Sequence, residues 1–260
     1  MAFKKLKYWF DKQLAIDLAN RISTADTEFQ QELFMESTLS GLEKLELKAR
    51  IEQFADALYL AFNENYQQAV KAQLACIGPE NLEQTGMFVN FYWLMPFAKM
   101  VEKYGLQQYE LSFLAMEEIT KRNTAEYTIR PYIHQHYERT LEQMYSWSKH
   151  ENFHLRRLAC EGLRPRLPWA KKLDRFIEDP SPVIPVLQSL KDDSSKYVQN
   201  SVANHINDLL KDNEAMAIEL LQSWTHDASP SRKWIIKHAT RKYRKLNSPW
   251  ALALMGDIGA

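Results

Sequence analysis

Three carboxylates stand where the surrounding residues are basic or aromatic. Glu161 lies in RRLACEGLRPRLPWAKK, a single acid among six Lys and Arg side chains. Asp208 closes SVANHIND, four residues after Asn204 and one turn along the same helix face. Glu126 stands in TAEYTIRPYI, close to Arg130. Taken singly, each reads as a helix-terminal acid or the partner of a nearby Arg. Glu126, with Thr124 before it, fits the N-terminal acid that a helix dipole favours. Together they carry a different meaning, because a surface that binds anions gains nothing from a carboxylate unless it must meet a cation or shape a reaction.

Trp169 and Trp234 add aromatic faces beside Arg and Lys clusters. Such faces suit nucleic-acid bases and sugars, or a cationic ligand held by cation–π attraction. Trp9, Trp93 and Trp147 sit in apolar helical patterns and read as core, and Trp234 at the centre of an amphipathic helix could also be packing. Other chemistry lacks its tools. HExxH, GxSxG and CxxC are absent, and the seven glycines are too scattered for GxGxxG or a P-loop. His134 and His136, two apart, point to different faces of a helix, so with Glu138 they read as surface residues and not as a metal site. Neither a metal nor a cofactor is expected. Cys76 and Cys160 make no disulfide framework and fit a reducing compartment.

The elements that must position these residues are helices. Leu42, Leu45, Leu47, Ala49, Ile51, Phe54, Ala57 and Leu58 recur at threes and fours. Similar patterns run through 9–22, 80–104, 107–121, 126–147, 195–211, 213–224 and 230–246, and no comparable segment alternates strictly. With only 7 Gly and 10 Pro in 260 residues, the chain is expected to be all-α. No apolar run approaches the length of a membrane span. Asp11, Lys12 and Asp17 interrupt any apolar segment after the Lys-rich start, so a cytoplasmic protein is expected.

From about residue 150 a repeat becomes legible in ENFHLRRLA, DSSKYVQNSVA and DASPSRKWIIKHA. Each unit opens on a polar turn holding an acid and continues into a helix with Ala near its middle. Leu155, Val198 and Ile235 occupy comparable positions, 43 and 37 residues apart, the interval of a HEAT or armadillo helix pair. The expected architecture is an α-solenoid of antiparallel helix pairs with a concave basic groove, in one continuous domain over 1–260. Its N-terminal helical half is 1–148, and its clear repeats are 149–260. Five prolines between Pro165 and Pro185 suggest a rigid loop interrupting the array. Charge supports a basic working face in the second half: residues 1–120 balance at −6 and residues 121–260 at +6. Residues 228–250 hold seven basic side chains and no acid, which points to an anionic partner.

RRLACEGLRPRLPWA, DPSPVIPVLQSLKDDSSKYVQNSVANHINDLLKD and RKWIIKHATRKYRK resemble the HEAT-repeat alkylpurine DNA glycosylases, specifically the AlkC branch of the AlkC/AlkD group. FDKQLAIDLANRI, LSGLEKLELKARIEQFADAL, FVNFYWLMPFAKMVEKYG and ITKRNTAEYTIRPYI extend the resemblance from about residue 8 to 256. It implies removal of cationic alkylated bases such as 3-methyladenine from double-stranded DNA, without full base flipping, by a monomer. It places Glu126, Glu161 and Asp208 as the functional acids and Trp169 and Trp234 as aromatic residues lining the lesion cleft. The basic residues Arg156, Arg157, Arg164, Arg166, Lys237, His238, Arg241 and Lys242 would then hold phosphates. Some members of that branch carry an immunoglobulin-like domain after the repeats, for which these 260 residues leave no room.

Two other readings compete: a non-catalytic HEAT-repeat binder of damaged or branched DNA, and a protein-binding scaffold. Three acids retained in a phosphate-facing surface weaken the first. The second predicts no salt-sensitive DNA affinity, which both DNA readings require.

Overall fold

A computed structural model describes residues 4–86, 88 and 90–259. Among them there is no strand, and no helix is long and apolar enough to cross a membrane. The chain divides into two compact units, one of residues 1–82 and 86–131, the other of residues 83–85 and 132–260.

The first unit holds α1 (Lys12–Ala25), α2 (Gln31–Leu39), α3 (Leu47–Leu60), α4 (Tyr66–Cys76), α5 (Met95–Tyr104) and α6 (Tyr109–Thr120). Helix α1 packs on α2 and α4, and α3 on α2 and α5. Their shared core includes Phe10, Phe34, Phe54 and Phe62, all removed from solvent. The helical pattern read over 80–104 is helical only from Tyr92 onward. Gly78 has a left-handed φ of +80°, and Pro79 and Gly86 are poor helix residues, so this stretch runs mostly as turns and extended chain. Met87 and Val89, within the same reading, lie outside the described residues.

Helix α7 (Ile129–Gln135) straddles the division. The pattern read as one helix over 126–147 breaks at His136, whose φ of −128° and ψ of 50° are not helical. The second unit continues with α8 (Tyr137–Trp147), α9 (Phe153–Glu161), α10 (Asp174–Glu178), α11 (Ile184–Leu190) and α12 (Lys196–Asp212). It ends with α13 (Glu214–Ser223), α14 (Pro230–Ala239), α15 (Arg241–Lys245) and α16 (Pro249–Asp257).

The polar turns of the repeat work as helix caps. Asn152, Ser195 and Ser229 accept the backbone N–H of His154, Val198 and Arg232 at the starts of α9, α12 and α14. Leu155, Val198 and Ile235 are all fully buried, as are Ala159, Ala203 and Ala239. Counted from the caps, however, the third helix gains a turn: Leu155 and Val198 lie three residues after theirs and Ile235 six. Helices α9, α12 and α14 form one layer, α12 packing on both neighbours, with α8 against α9 and α11 against α9 and α12. Contacts between α9 and α12 advance together along both chains. Arg157 lies over the Tyr197 ring, Ser201 bonds Glu161, and beyond the end of α9 Arg164 and Arg166 reach Asp208 and Asp212. The two helices therefore run parallel, one repeat apart.

The Pro-rich segment is less loop-like than its composition suggests. Pro182 and Pro185 open a 3-10 turn and α11, where a missing N–H costs nothing.

Candidate active site

Two of the three acids meet. Glu161 ends α9 and Asp208 lies in the last turns of α12, and the parallel packing brings both to one guanidinium. Arg164 Nη1 donates to Glu161 Oε1 at 2.6 Å, and its Nε donates to Asp208 Oδ2 at 2.9 Å. Glu161, Arg164 and Asp208 are 6%, 8% and 1% exposed. Burying one such charge unpaired is costly, so the three are mutually dependent. Ser201 Oγ donates to Glu161 Oε2 at 2.5 Å, Arg157 Nη2 lies 3.8 Å from Oε1, and Lys211 Nζ is 3.1 Å from Asp208 Oδ1.

These neighbours fix the charge state of Glu161. Burial pushes its carboxyl upward, but the guanidiniums of Arg157 and Arg164 and the hydrogen bonds from Ser201 and Arg164 outweigh it and hold it below the ordinary carboxylate range. Burial pushes the Cys160 thiol up to about 12 and the His205 imidazole down to about 4, so both are neutral near pH 7. Neutral His205 is placed to donate from Nδ1 to the Cys160 carbonyl, 3.1 Å away, tying α12 to α9 next to Glu161. Ser201, His205 and Lys211 are the members that sequence reasoning missed. Ser201 and His205 stand in QNSVANHIND itself, at i−7 and i−3 from Asp208, and the helical period alone puts His205 near its face.

Glu126 belongs to the first unit. It is 3% exposed, in the turn before α7, where Thr124 Oγ1 donates to its Oε2 at 3.1 Å and accepts its backbone N–H at 3.2 Å. Trp169 is 65% exposed and has a left-handed φ of +65°, a conformation that a bulky non-glycine residue adopts only under constraint. Trp234 is half-buried; His238 stacks on it, and Lys196 stands over its ring. Among the described residues, His134, His136 and Glu138 do not come together as a metal-binding group.

The basic residues separate by partner. Arg156 places Nε and Nη2 on Asp193 and donates from Nη1 to the carbonyls of His150 and Glu151. Arg166 grips Asp212 through Nε and Nη2. Arg232 holds Asp192 in the same way one helix further on. These three are struts between repeats. Arg156→Ala is expected to cost about 1–3 kcal/mol in denaturant unfolding while leaving duplex affinity within twofold; a large affinity loss at unchanged stability would make Arg156 a DNA contact. Lys237, Arg241 and Lys242 are exposed and make no ion pair among the described residues.

The fold and site define an α-helical repeat protein with a buried carboxylate pair beside an unpaired basic surface. The family described as DNA alkylation repair enzyme matches residues 105–243, a segment that includes every candidate residue named above. The chain belongs to that family. Uncharacterized protein YhaZ of Bacillus subtilis (strain 168) is 34% identical over 252 residues, covering 96% of this chain and 68% of its own. The solved structure of Pseudomonas fluorescens alkylpurine DNA glycosylase AlkC, bound to DNA containing an abasic site analog, matches with a TM-score of 0.89 and 31% identity. That match covers 98% of this chain and 69% of the AlkC chain.

Proposed function

We propose that this protein is a DNA glycosylase that hydrolyses the N-glycosidic bond of cationic alkylated purines, such as 3-methyladenine, in double-stranded DNA. The observation that carries the reading is the Glu161–Arg164–Asp208 cluster: two carboxylates from successive repeats on one buried guanidinium. Alkylation at N3 or N7 gives the purine a positive charge, so it departs as a neutral base with little general-acid help. Positive charge then develops on the deoxyribose, and carboxylates in poorly hydrated surroundings stabilise that oxocarbenium character. A carboxylate can also orient the attacking water. Arg164 sets the spacing of the two acids and keeps them from repelling one another before DNA arrives.

Glu126 enters the proposal as a third acid through its motif TAEYTIRPYI. Trp169 offers an exposed indole to the lesion, where a π face favours a cationic base over a neutral one. Phosphate contacts fall to the cations that no carboxylate occupies, Lys237, Arg241 and Lys242 foremost, and these fix register without reading sequence. The test is incubation with methylated genomic DNA and chromatography of the released bases. Liberated 3-methyladenine is expected; salt-sensitive binding with no release would leave a DNA binder. Lys237→Ala combined with Arg241→Ala should weaken binding to all duplexes alike and reduce the slope of log K against log salt by about 2. An unchanged slope would turn that surface away from DNA.

A further inference from the structure

The cations of the second unit form two sets. Arg156, Arg164, Arg166 and Arg232 are fixed to carboxylates. Lys196, His238 and Arg241 make no ion pair among the described residues, and they lie close together. The Lys196 ammonium lies 3.0 Å from the Trp234 ring centroid. The His238 imidazole stacks on the same indole at 4.6 Å and 13°. Arg241 Nη1 donates to the backbone carbonyl of His238 at 2.6 Å. An ammonium from α12 and an imidazole from α14 thus meet on one indole, and a guanidinium from α15 is tied to the backbone of the same histidine.

We infer that Lys196, His238 and Arg241 form a phosphodiester site for duplex DNA, and that His238 takes up a proton when the phosphate binds. The inference rests on the DNA reading above and adds Lys196 and His238 to the phosphate contact of Arg241. Lys196 and Asp208 stand at opposite ends of α12, about 18 Å apart along the axis. Along α12 the site therefore runs from Lys196 at its start towards the level of Asp208, where Asn207 Nδ2 donates to the Ala239 carbonyl and Tyr243 Oη to the Leu210 carbonyl, and Trp234 serves as the platform for Lys196 and His238, not as a surface for the lesion.

The charges explain the proton. The groups facing His238 are Arg241 from α15 and Lys196 from α12, with Lys237 adjacent on its own helix, and no carboxylate is among them. Burial first, then Arg241 and Lys196, hold the imidazole below its ordinary value, so it is neutral near pH 7 in the free protein. A phosphodiester oxygen set among these groups reverses the local field and favours imidazolium, which the indole face also supports. By linkage, affinity rises as pH falls from the bound-state pKa towards the free-state pKa, by up to about tenfold per pH unit, and is level outside that window.

The test measures affinity for an unmodified labelled duplex by fluorescence anisotropy between pH 5.5 and 8.5 at constant ionic strength (the range is about one pH unit or more on either side of an ordinary histidine). Wild type is expected to bind severalfold tighter at pH 6 than at pH 8. His238→Phe, which keeps the stack without the proton, should lose that rise, and His238→Gln repeats the test should the Phe variant misfold. Lys196→Met should bind more weakly, with its rise moved to higher pH because a repelling cation is gone. The same pH dependence in wild type and both His238 variants overturns the inference, and so does failure to bind the duplex. Inorganic phosphate shifting the His238 proton resonances as far as the duplex does would also overturn it, making the cluster a small-anion site. Base release is scored separately. Release without proton-linked binding sinks this site alone, whereas proton-linked binding without release sinks the glycosylase reading and leaves the site standing.

Discussion

Asp208→Asn and Glu161→Gln should each lower base release by about 10²–10³-fold, the scale on which a single preorganised electrostatic group acts on a charged transition state. Duplex affinity should hold or rise. Each change is nearly isosteric, so the parallel packing of α9 and α12 has no steric reason to shift. What changes is charge. The cluster holds two carboxylates against Arg164, with Arg157 and Lys211 at its edge. Neutralising one acid tips the surroundings towards positive, which repels the oxocarbenium-like sugar and attracts the phosphates beside it. The two effects therefore run in opposite directions, and that opposition separates a catalytic role from a structural one. Single-turnover release of 3-methyladenine gives the first quantity and anisotropy on the same duplex gives the second. Full release in both variants would sink the catalytic assignment, and parallel loss of release and affinity would mean that the acids only hold the repeats together.

The acids could be found in the sequence because each breaks a local pattern: an acid among six cations, or an acid ending an amphipathic run. The repeat was legible for a related reason, since helix caps and buried alanines are local chemistry repeated at one interval. The partners were not legible. Arg164 and Asp208 lie 44 residues apart in sequence, and nothing in GLRPRL or SVANHIND says which Arg of the first meets the acid of the second. Nor does the sequence tell that Arg156, Arg164 and Arg166, grouped there as phosphate ligands, each pair with a carboxylate of the next repeat. Trp234 read as an aromatic face beside basic residues; only the neighbouring helix shows that Lys196 stands over it. The helical reading of 80–91 failed by another route. Apolar spacing there fits a helix, but Gly78, Pro79 and Gly86 impose backbone limits that periodicity ignores.

Arg164→Leu carries the largest expected cost in stability. Its guanidinium is the shared partner of two buried carboxylates, and removing one member of a buried ion pair strands the other at about 3–5 kcal/mol. Denaturant unfolding measures this directly. The decisive comparison is the triple variant Arg164→Leu, Glu161→Gln, Asp208→Asn, in which no carboxylate is left stranded and most of the loss should be recovered. A triple variant as unstable as the single one would locate the cost in packing and not in charge. Arg164→Lys addresses catalysis more cleanly. Lysine preserves the positive charge but has no planar fork, so it cannot set Glu161 and Asp208 at fixed distances together. Base release should drop by about 10–100-fold with affinity little changed. The acid limb of the pH–rate profile should also move up in Arg164→Lys. Glu161 is held low partly by the Arg164 guanidinium and its hydrogen bond, so a poorer partner raises its folded-state pKa and activity is lost at a higher pH as the pH falls. An unmoved acid limb with unchanged release would reduce Arg164 to a tie between repeats, and its two hydrogen bonds to the acids would then have no part in the reaction.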